Sequence, residues 1–232
     1  DPRDKNLAFD KFRKNHQRTS SGGNRIIVAG ANDGQLHAFE TGQGAEKWSF
    51  IPPNLLPKLG GLAHVSHPPP KDKKRQYFVD GPLSAADVWW TIGGKPDGTE
   101  KLESEWKTLL VSGLGMGVRG PGKKPNDPLA YLWSKHQSCD DEFKDKYNPP
   151  HEYYCGYYAF DVTNTAAYPA FQWTLNPGKD DGPYLGEPWS KMTMGRVKID
   201  GKERWVGFIG GGYTMGTPSK ADTGKGFFVV DL

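Results

Sequence analysis

Gly115-Met-Gly-Val-Arg-Gly120 is the run whose spacing most directly suggests chemistry, because G-x-G-x-x-G lets a backbone approach a pyrophosphate when a strand precedes it and a helix follows. A strand-like run, Trp106–Gly113, does precede it, but Pro121, Pro125 and Pro128 occupy the place of the helix. Proline inside a helix costs about 3 kcal/mol, so the run reads as a glycine-rich turn. His64 and His67 could offer two imidazoles to a metal. Three prolines follow them and no carboxylate or thiolate stands at ligand spacing, which makes a polar loop the better reading. Asp180-Asp181 before Gly182, and Asp33 in a turn, raise calcium, yet neither fits the loop pattern D-x-[DN]-x-[DN]-G. Aspartate in a tight turn bonds the local backbone without any metal. His37 alternates with Leu36 and Ala38 and has no Ser or Cys partner in sequence, so it reads as a packed or edge histidine. The basic runs Lys71-Asp-Lys-Lys-Arg75 and Lys123-Lys124 lack interleaved aromatics and read as solvated loops rather than a nucleic-acid groove. No catalytic, cofactor or metal residue is therefore assigned, and a non-enzyme is expected.

Residues 118–155 are the most informative irregular segment, carrying Trp133, Cys139, the acidic run Asp140-Asp-Glu142, and then Tyr153, Tyr154 and Cys155. The two cysteines have neither C-x-x-C nor C-x-x-C-H spacing, so a zinc ribbon and a c-type haem lack support. A disulfide between Cys139 and Cys155 is their simplest use; if oxidised, it would restrict the unfolded loop and contribute on the order of 3 kcal/mol. Long insertions on rigid scaffolds often carry recognition, which makes Trp133, Tyr153 and Tyr154 candidate interaction residues. A decoration without a role is the alternative.

The elements that must position these residues are strands. Of 232 residues, 35% are hydrophobic and 12% aromatic, enough for a real core, while 30 glycines and 19 prolines call for many turns and few helices. A net charge of +3 is too small to imply an electrostatic partner such as nucleic acid. Apolar runs such as Leu109–Val111 and Phe227–Val230 fall far short of the ~18 residues of a membrane span. Residues 1–24 are polar, without sustained periodicity, and read as a tail or linker with one short helix near Leu7–Phe12. The character then changes: Arg25–Gly30, the turn Asn32-Asp-Gly34, Gln35–Glu40, the turn Thr41-Gly-Gln-Gly44 and Ala45–Phe50 spell three antiparallel strands.

The same grammar recurs in Trp106–Gly113, Gly156–Asp161 and Phe171–Leu175, and again in Arg204–Gly210 and Gly226–Leu232. Gln76–Leu83 and Glu187–Val197 are each expected to supply a remaining strand of a four-stranded blade. The fold class expected is an all-β, quinoprotein-like β-propeller of about three blades over 25–232, with an insertion at about 118–155. Propellers typically close with about four to eight blades, so an incomplete ring and a longer parent protein are expected. The absence of a signal-like opening suggests that Asp1 follows a processing site or lies inside a precursor.

Gly-Ala-Asn-Asp-Gly-x-Leu-His-Ala-Phe, then Thr-Gly and a Trp strand, resembles the repeat of quinoprotein-type propellers. The longer match resembles the PilY-type family of type IV pilus tip-associated adhesins and biogenesis factors. It comprises Gly30–Phe39, Ile51-Pro52, Tyr77-Phe-Val-Asp-Gly-Pro82, Trp106–Gly115, Tyr158-Ala-Phe-Asp-Val-Thr163, Leu185-Gly186 and Phe208-Ile-Gly-Gly-Gly-Tyr213, in family order. The resemblance implies a C-terminal propeller domain of a secreted protein, acting with minor pilins at the pilus tip in assembly and in attachment to host or abiotic surfaces. It implies an extracellular or cell-surface location reached through the periplasm, and contact with the remainder of its own polypeptide. The family's calcium loop lies further along the propeller than Leu232, so no ligand is carried over. Two other readings share the repeat: a quinone-dependent dehydrogenase, binding pyrroloquinoline quinone, and a periplasmic scaffold for outer-membrane protein assembly.

Overall fold

The computed structural model describes residues 7–21, 24–52, 55, 78–115, 156–175, 184–212 and 224–232. Among them, one α-helix, α1 (Leu7–Asn15), precedes eleven strands. In chain order these are β1 (Ile26–Gly30), β2 (Leu36–Glu40), β3 (Glu46–Phe50), β4 (Leu83–Trp89), β5 (Lys95–Pro96), β6 (Trp106–Gly113), β7 (Tyr157–Asp161), β8 (Ala170–Leu175), β9 (Thr193–Ile199), β10 (Lys202–Gly210) and β11 (Phe227–Asp231). They form three antiparallel sheets. The first has the order β1-β2-β3 and the second β4-β6-β7-β8. In the third, β10 pairs with β9 on one side, while β11 and the two-residue β5 share its other edge. The expectation of an all-β chain is met; the sheets do not close on one another among the described residues.

Local chemistry explains the hairpins. The turn after β1 places Gly34 at φ 92°, a conformation that glycine adopts without a Cβ clash, and the Asp33 carboxylate accepts the Gln35 N–H at 3.0 Å. After β2 the Glu40 carboxylate accepts the Gln43 and Gly42 N–H groups at 2.5 and 3.2 Å, and these bonds hold its pKa below the ordinary range. A bulge between Ala38 and Phe39 shifts the β2–β3 register by one residue.

The second sheet is the middle layer, and its side chains alternate between two cores. Leu110, Tyr158 and Phe160 pack with Leu36, Ala38 and Trp48 of the first sheet. Their neighbours Leu109, Val111, Tyr157 and Ala159 pack with Ile209, Phe228 and Val230 of the third. Successive strand residues point to opposite faces, so a strand covered on both sides must be apolar throughout, as Leu109–Val111 and Tyr157–Phe160 are. Each large side chain so buried stabilises the fold by roughly 1.5–3 kcal/mol.

Two strand assignments need correction. The strand expected at Gln76–Leu83 begins instead at Leu83, and residues 78–82 are irregular: Pro82 has no N–H to give a ladder, while Phe78 and Val79 fill the core between the first two sheets. The strand expected at Glu187–Val197 begins only at Thr193 and runs to Ile199. Before it, Trp189 donates its indole N–H to the Glu187 carboxylate across Pro188 at 2.9 Å, which folds the chain back on itself.

The short helix expected near Leu7–Phe12 is α1. It does not hang free: Phe12 is buried beside Trp89 and Trp106, Phe9 lies 4.3 Å from the Trp106 ring, and Arg18 pairs with Asp87 at 2.6 Å. A mixed aromatic and ionic cluster then ties the second sheet to the third. Trp89 donates its indole N–H to Glu105 at 2.8 Å, and the Lys101 ammonium sits 4.8 Å above the Trp89 ring while pairing with Glu203 at 2.9 Å.

Candidate interaction surfaces

Most of the residues singled out from sequence lie outside the described residues. These are Trp133, Tyr153, Tyr154 and the expected Cys139–Cys155 pair, together with His64, His67, Asp180, Asp181 and both basic runs. What is described is the base from which the 118–155 insertion leaves. Gly113 at the end of β6 pairs with Tyr157 at the start of β7, so the chain departs and returns at adjacent points of the middle sheet. The strand preceding Gly115 is confirmed as β6, and Gly115 itself has φ 56°.

The glycine-bearing motifs meet each other backbone to backbone. Gly113 donates its N–H to the Pro82 carbonyl at 3.0 Å, and a Cβ on Gly81 would lie 2.1 Å from the Gly113 oxygen. In the third sheet Gly186 donates to the Gly211 carbonyl at 2.7 Å, and Gly212, at φ 85°, leaves room for the Glu187 carbonyl. Phe-Val-Asp-Gly-Pro with Ser-Gly-Leu-Gly, and Leu-Gly with Ile-Gly-Gly-Gly, are thus pairs of crossing backbones. At these points the glycines permit the close approach of one backbone to another.

His37 is better connected than the sequence suggested. Its Nδ1 lies 2.7 Å from a Glu46 oxygen and its Nε2 2.9 Å from an Asp33 oxygen, with the ring stacked on Phe39 at 5.8 Å. Asp33, four residues away, was visible in sequence; Glu46 is brought in by the bulged β2–β3 register. Burial works to lower the His37 pKa, but the two carboxylates outweigh it and the pKa is raised above 6.5. The two acids bond opposite ring nitrogens and therefore do not converge on a shared point as metal ligands do. Among the described residues no group of three His, Cys, Asp or Glu is arranged to hold a metal.

A pH dependence follows from this clamp. A raised pKa means that the folded state binds the proton more tightly, so the clamp's contribution is fully present below the unfolded value of about 6.5 and is lost as pH rises through the folded pKa. Urea midpoints measured from about pH 5 to about pH 9 are expected to fall through that window in the parent and to flatten in Asp33→Asn/Glu46→Gln. A parent profile that does not fall above about pH 6.5 would contradict the clamp.

Among the described residues, the outer sheets each leave one apolar face uncovered. On the first, Ile27 is 59% exposed beside Ala29 and Phe39; on the third, Phe227 is 66% and Val229 51% exposed, with Phe227 stacked on Phe208 at 5.9 Å. In the middle sheet the positions matching Phe227 and Val229 are Tyr157 and Ala159, both buried under the third sheet. The free face of the third sheet is therefore shaped like a face that elsewhere in the molecule receives another sheet.

No protein-family model matches the chain. Among curated proteins it is similar to a type IV pilus biogenesis factor PilY1 homolog of Xylella fastidiosa, with 37% identity over 113 residues, 47% of this chain and 8% of the relative. It is similar to PilY1 of Pseudomonas aeruginosa at 31% identity over 128 residues, and in further strains at 28% over 188 residues, or 81% of this chain and 11% of the relative. The chain thus spans roughly a tenth of the length of the curated relatives it matches. Among solved structures, the crystal structure of the P. aeruginosa PilY1 C-terminal domain aligns with 86% of this chain and 28% of that one, at 24% identity and a TM-score of 0.41.

Proposed function

Proceeding from a chain that is PilY-type in sequence, we propose that it is a non-enzymatic interaction domain serving type IV pilus biogenesis and surface adhesion. The similarity to PilY1 proteins, 28% identity across 188 residues and 31–37% over shorter stretches, is the observation that carries the reading. In this proposal the three sheets are successive blades of a β-propeller in a C-terminal domain. Packing of the middle sheet on both faces supports it, since a blade is covered by a neighbour on either side. The domain works at the cell surface or pilus tip, its partners being minor pilins and the rest of its own polypeptide. Loops on this rigid framework, the 118–155 insertion with Trp133, Tyr153 and Tyr154 foremost, present the recognition surface. The proposal assigns no cofactor to this chain.

Deleting the gene is expected to reduce both assembled pili and attachment to surfaces, with recovery on complementation by the full-length gene. Unchanged pili and unchanged attachment in the deletion strain would refute the proposal. Turnover of a dye-linked substrate on adding pyrroloquinoline quinone and calcium to the full-length protein would refute its non-enzymatic part.

A further inference from the structure

Residues 7–18 lie before the first sheet in sequence but pack where the second sheet meets the third. Trp89 of β4, Trp106 of β6 and Trp205 of β10 line that place, with the Trp106 and Trp205 rings edge-on at 6.1 Å. Into it α1 turns a narrow stripe. Phe9 and Phe12 stand three residues apart, hence on one helical face, and their rings lie 4.3 and 6.4 Å from that of Trp106. Phe12 is 1% exposed, while Asp10, Lys11, Arg13 and Lys14 stay in solvent. Polar ties complete the attachment: the Asn15 amide donates to Glu103 at 2.5 Å, and Arg18 pairs with Asp87 and donates to the Thr108 hydroxyl.

The helix owes its order to this docking. At nine residues it is shorter than the roughly 12–15 at which isolated helices become even marginally stable in water. The surface beneath it carries an opposing cost. Trp89 donates its indole N–H to Glu105, but the buried indole N–H groups of Trp106 and Trp205 have no hydrogen-bond partner among the described residues. A donor buried in this way forfeits its bond to water and gains none in return. Apolar contact of the two phenylalanine rings thus holds α1 down against a penalty that lifting it would relieve.

We propose that the three tryptophans form a helix-binding groove and that residues 7–18 are its releasable strap. Release gives water a way back to the Trp106 N–H and leaves the groove to a second occupant, an amphipathic helix of a partner protein that presents two aromatic side chains one turn apart. The chemistry of that occupant is read from α1 itself, the helix the groove already holds. Helix-in-groove recognition rests on such anchors at i and i+3. Strap and partner compete for the same rings, so the strap sets the partner's apparent affinity through the fraction of molecules in which it is open. The inference goes beyond the proposed role in pilus biogenesis and needs no part of it.

Residue-resolved hydrogen exchange on the full-length polypeptide tests the release. Protection of the His16 amide, which bonds the Phe12 carbonyl, and of the Trp106 indole N–H is expected to be about a hundredfold or more below that of the Leu109 and Leu110 amides in doubly paired β6. Protection within about tenfold of β6 would mean that α1 leaves only when the sheets unfold, and would overturn the proposal. A labelled synthetic peptide of residues 7–18 tests the groove. It is expected to bind full-length Phe9→Ala/Phe12→Ala, whose own strap has lost its anchors, about tenfold or more tighter than the parent. The same peptide with both phenylalanines replaced by alanine is expected to bind neither. Equal binding to variant and parent, or equal binding of the two peptides, would overturn the proposal. So would a dimer of the unmodified protein that Phe9→Ala/Phe12→Ala abolishes, because the second occupant would then be another copy of this chain. If the variant does not fold, the protection measured in the parent decides.

Discussion

Phe160→Ala is expected to lower the unfolding free energy by about 3–5 kcal/mol, the range for removing a buried aromatic ring whose surroundings cannot collapse. Phe160 is 1% exposed and sits edge-on to Phe50 at 4.7 Å and 68°, with Phe171 at 6.4 Å on its own sheet and Tyr158 stacked beside it. It therefore joins the first sheet to the second and cannot be replaced by a rearrangement of one hairpin. Urea unfolding checks the value, with Ile27→Ala on the exposed face as a comparison expected to stay within about 0.5 kcal/mol. A Phe160→Ala loss no larger than that of Ile27→Ala would mean that the first two sheets do not share a core.

Gly81→Ala is expected to cost about 3 kcal/mol or more, although it adds one methyl group. The new Cβ would lie 2.1 Å from the Gly113 carbonyl oxygen and 2.6 Å from the Gly115 nitrogen. Both contacts are backbone, so no rotamer change relieves them; either the β6 end or the loop before β4 must shift. Gly44→Ala provides the contrast. At φ 74° it has nothing within 4 Å of the added carbon, so its cost is only the strain of holding a side-chain-bearing residue in the left-handed region, about 1–2 kcal/mol. Thermal unfolding of the two variants side by side tests the distinction, and equal shifts would place the Gly81 effect in conformation instead of contact.

The hairpins were legible in the sequence because their information is local. Asn32-Asp-Gly34 and Thr41-Gly-Gln-Gly44 specify turns, and the apolar runs between them specify strands within one or two residues of β1, β2 and β3. The middle sheet was legible for β6, β7 and β8 but not for β4, whose Leu-Ser-Ala-Ala-Asp-Val-Trp run is poor in β-branched residues and becomes a strand through pairing with β6. Nor could local pattern show β5, two residues that pair with Lys202 and Glu203 more than a hundred positions away. The same limit governs the candidate surfaces. Asp33, in the turn, and His37, on the strand that follows it, are four residues apart and could be associated by eye, whereas Glu46 reaches His37 through a bulge that no turn residue announces. The helix α1 was foreseen as an isolated element; its destination against Trp89 and Trp106 depended on a cluster that assembles only in three dimensions.

The Gly113–Tyr157 pairing makes the middle sheet a docking port for sequence of variable length. With both ends of the excursion held in adjacent strands, the entropy of closing it grows only with the logarithm of its length, about 0.6 kcal/mol for each doubling. Selection can therefore lengthen, shorten or exchange the residues between these two points while the sheets on either side keep their register. Under the recognition role proposed for this excursion, chimeras that swap it between related proteins are expected to keep the framework of the host and take on the recognition of the donor.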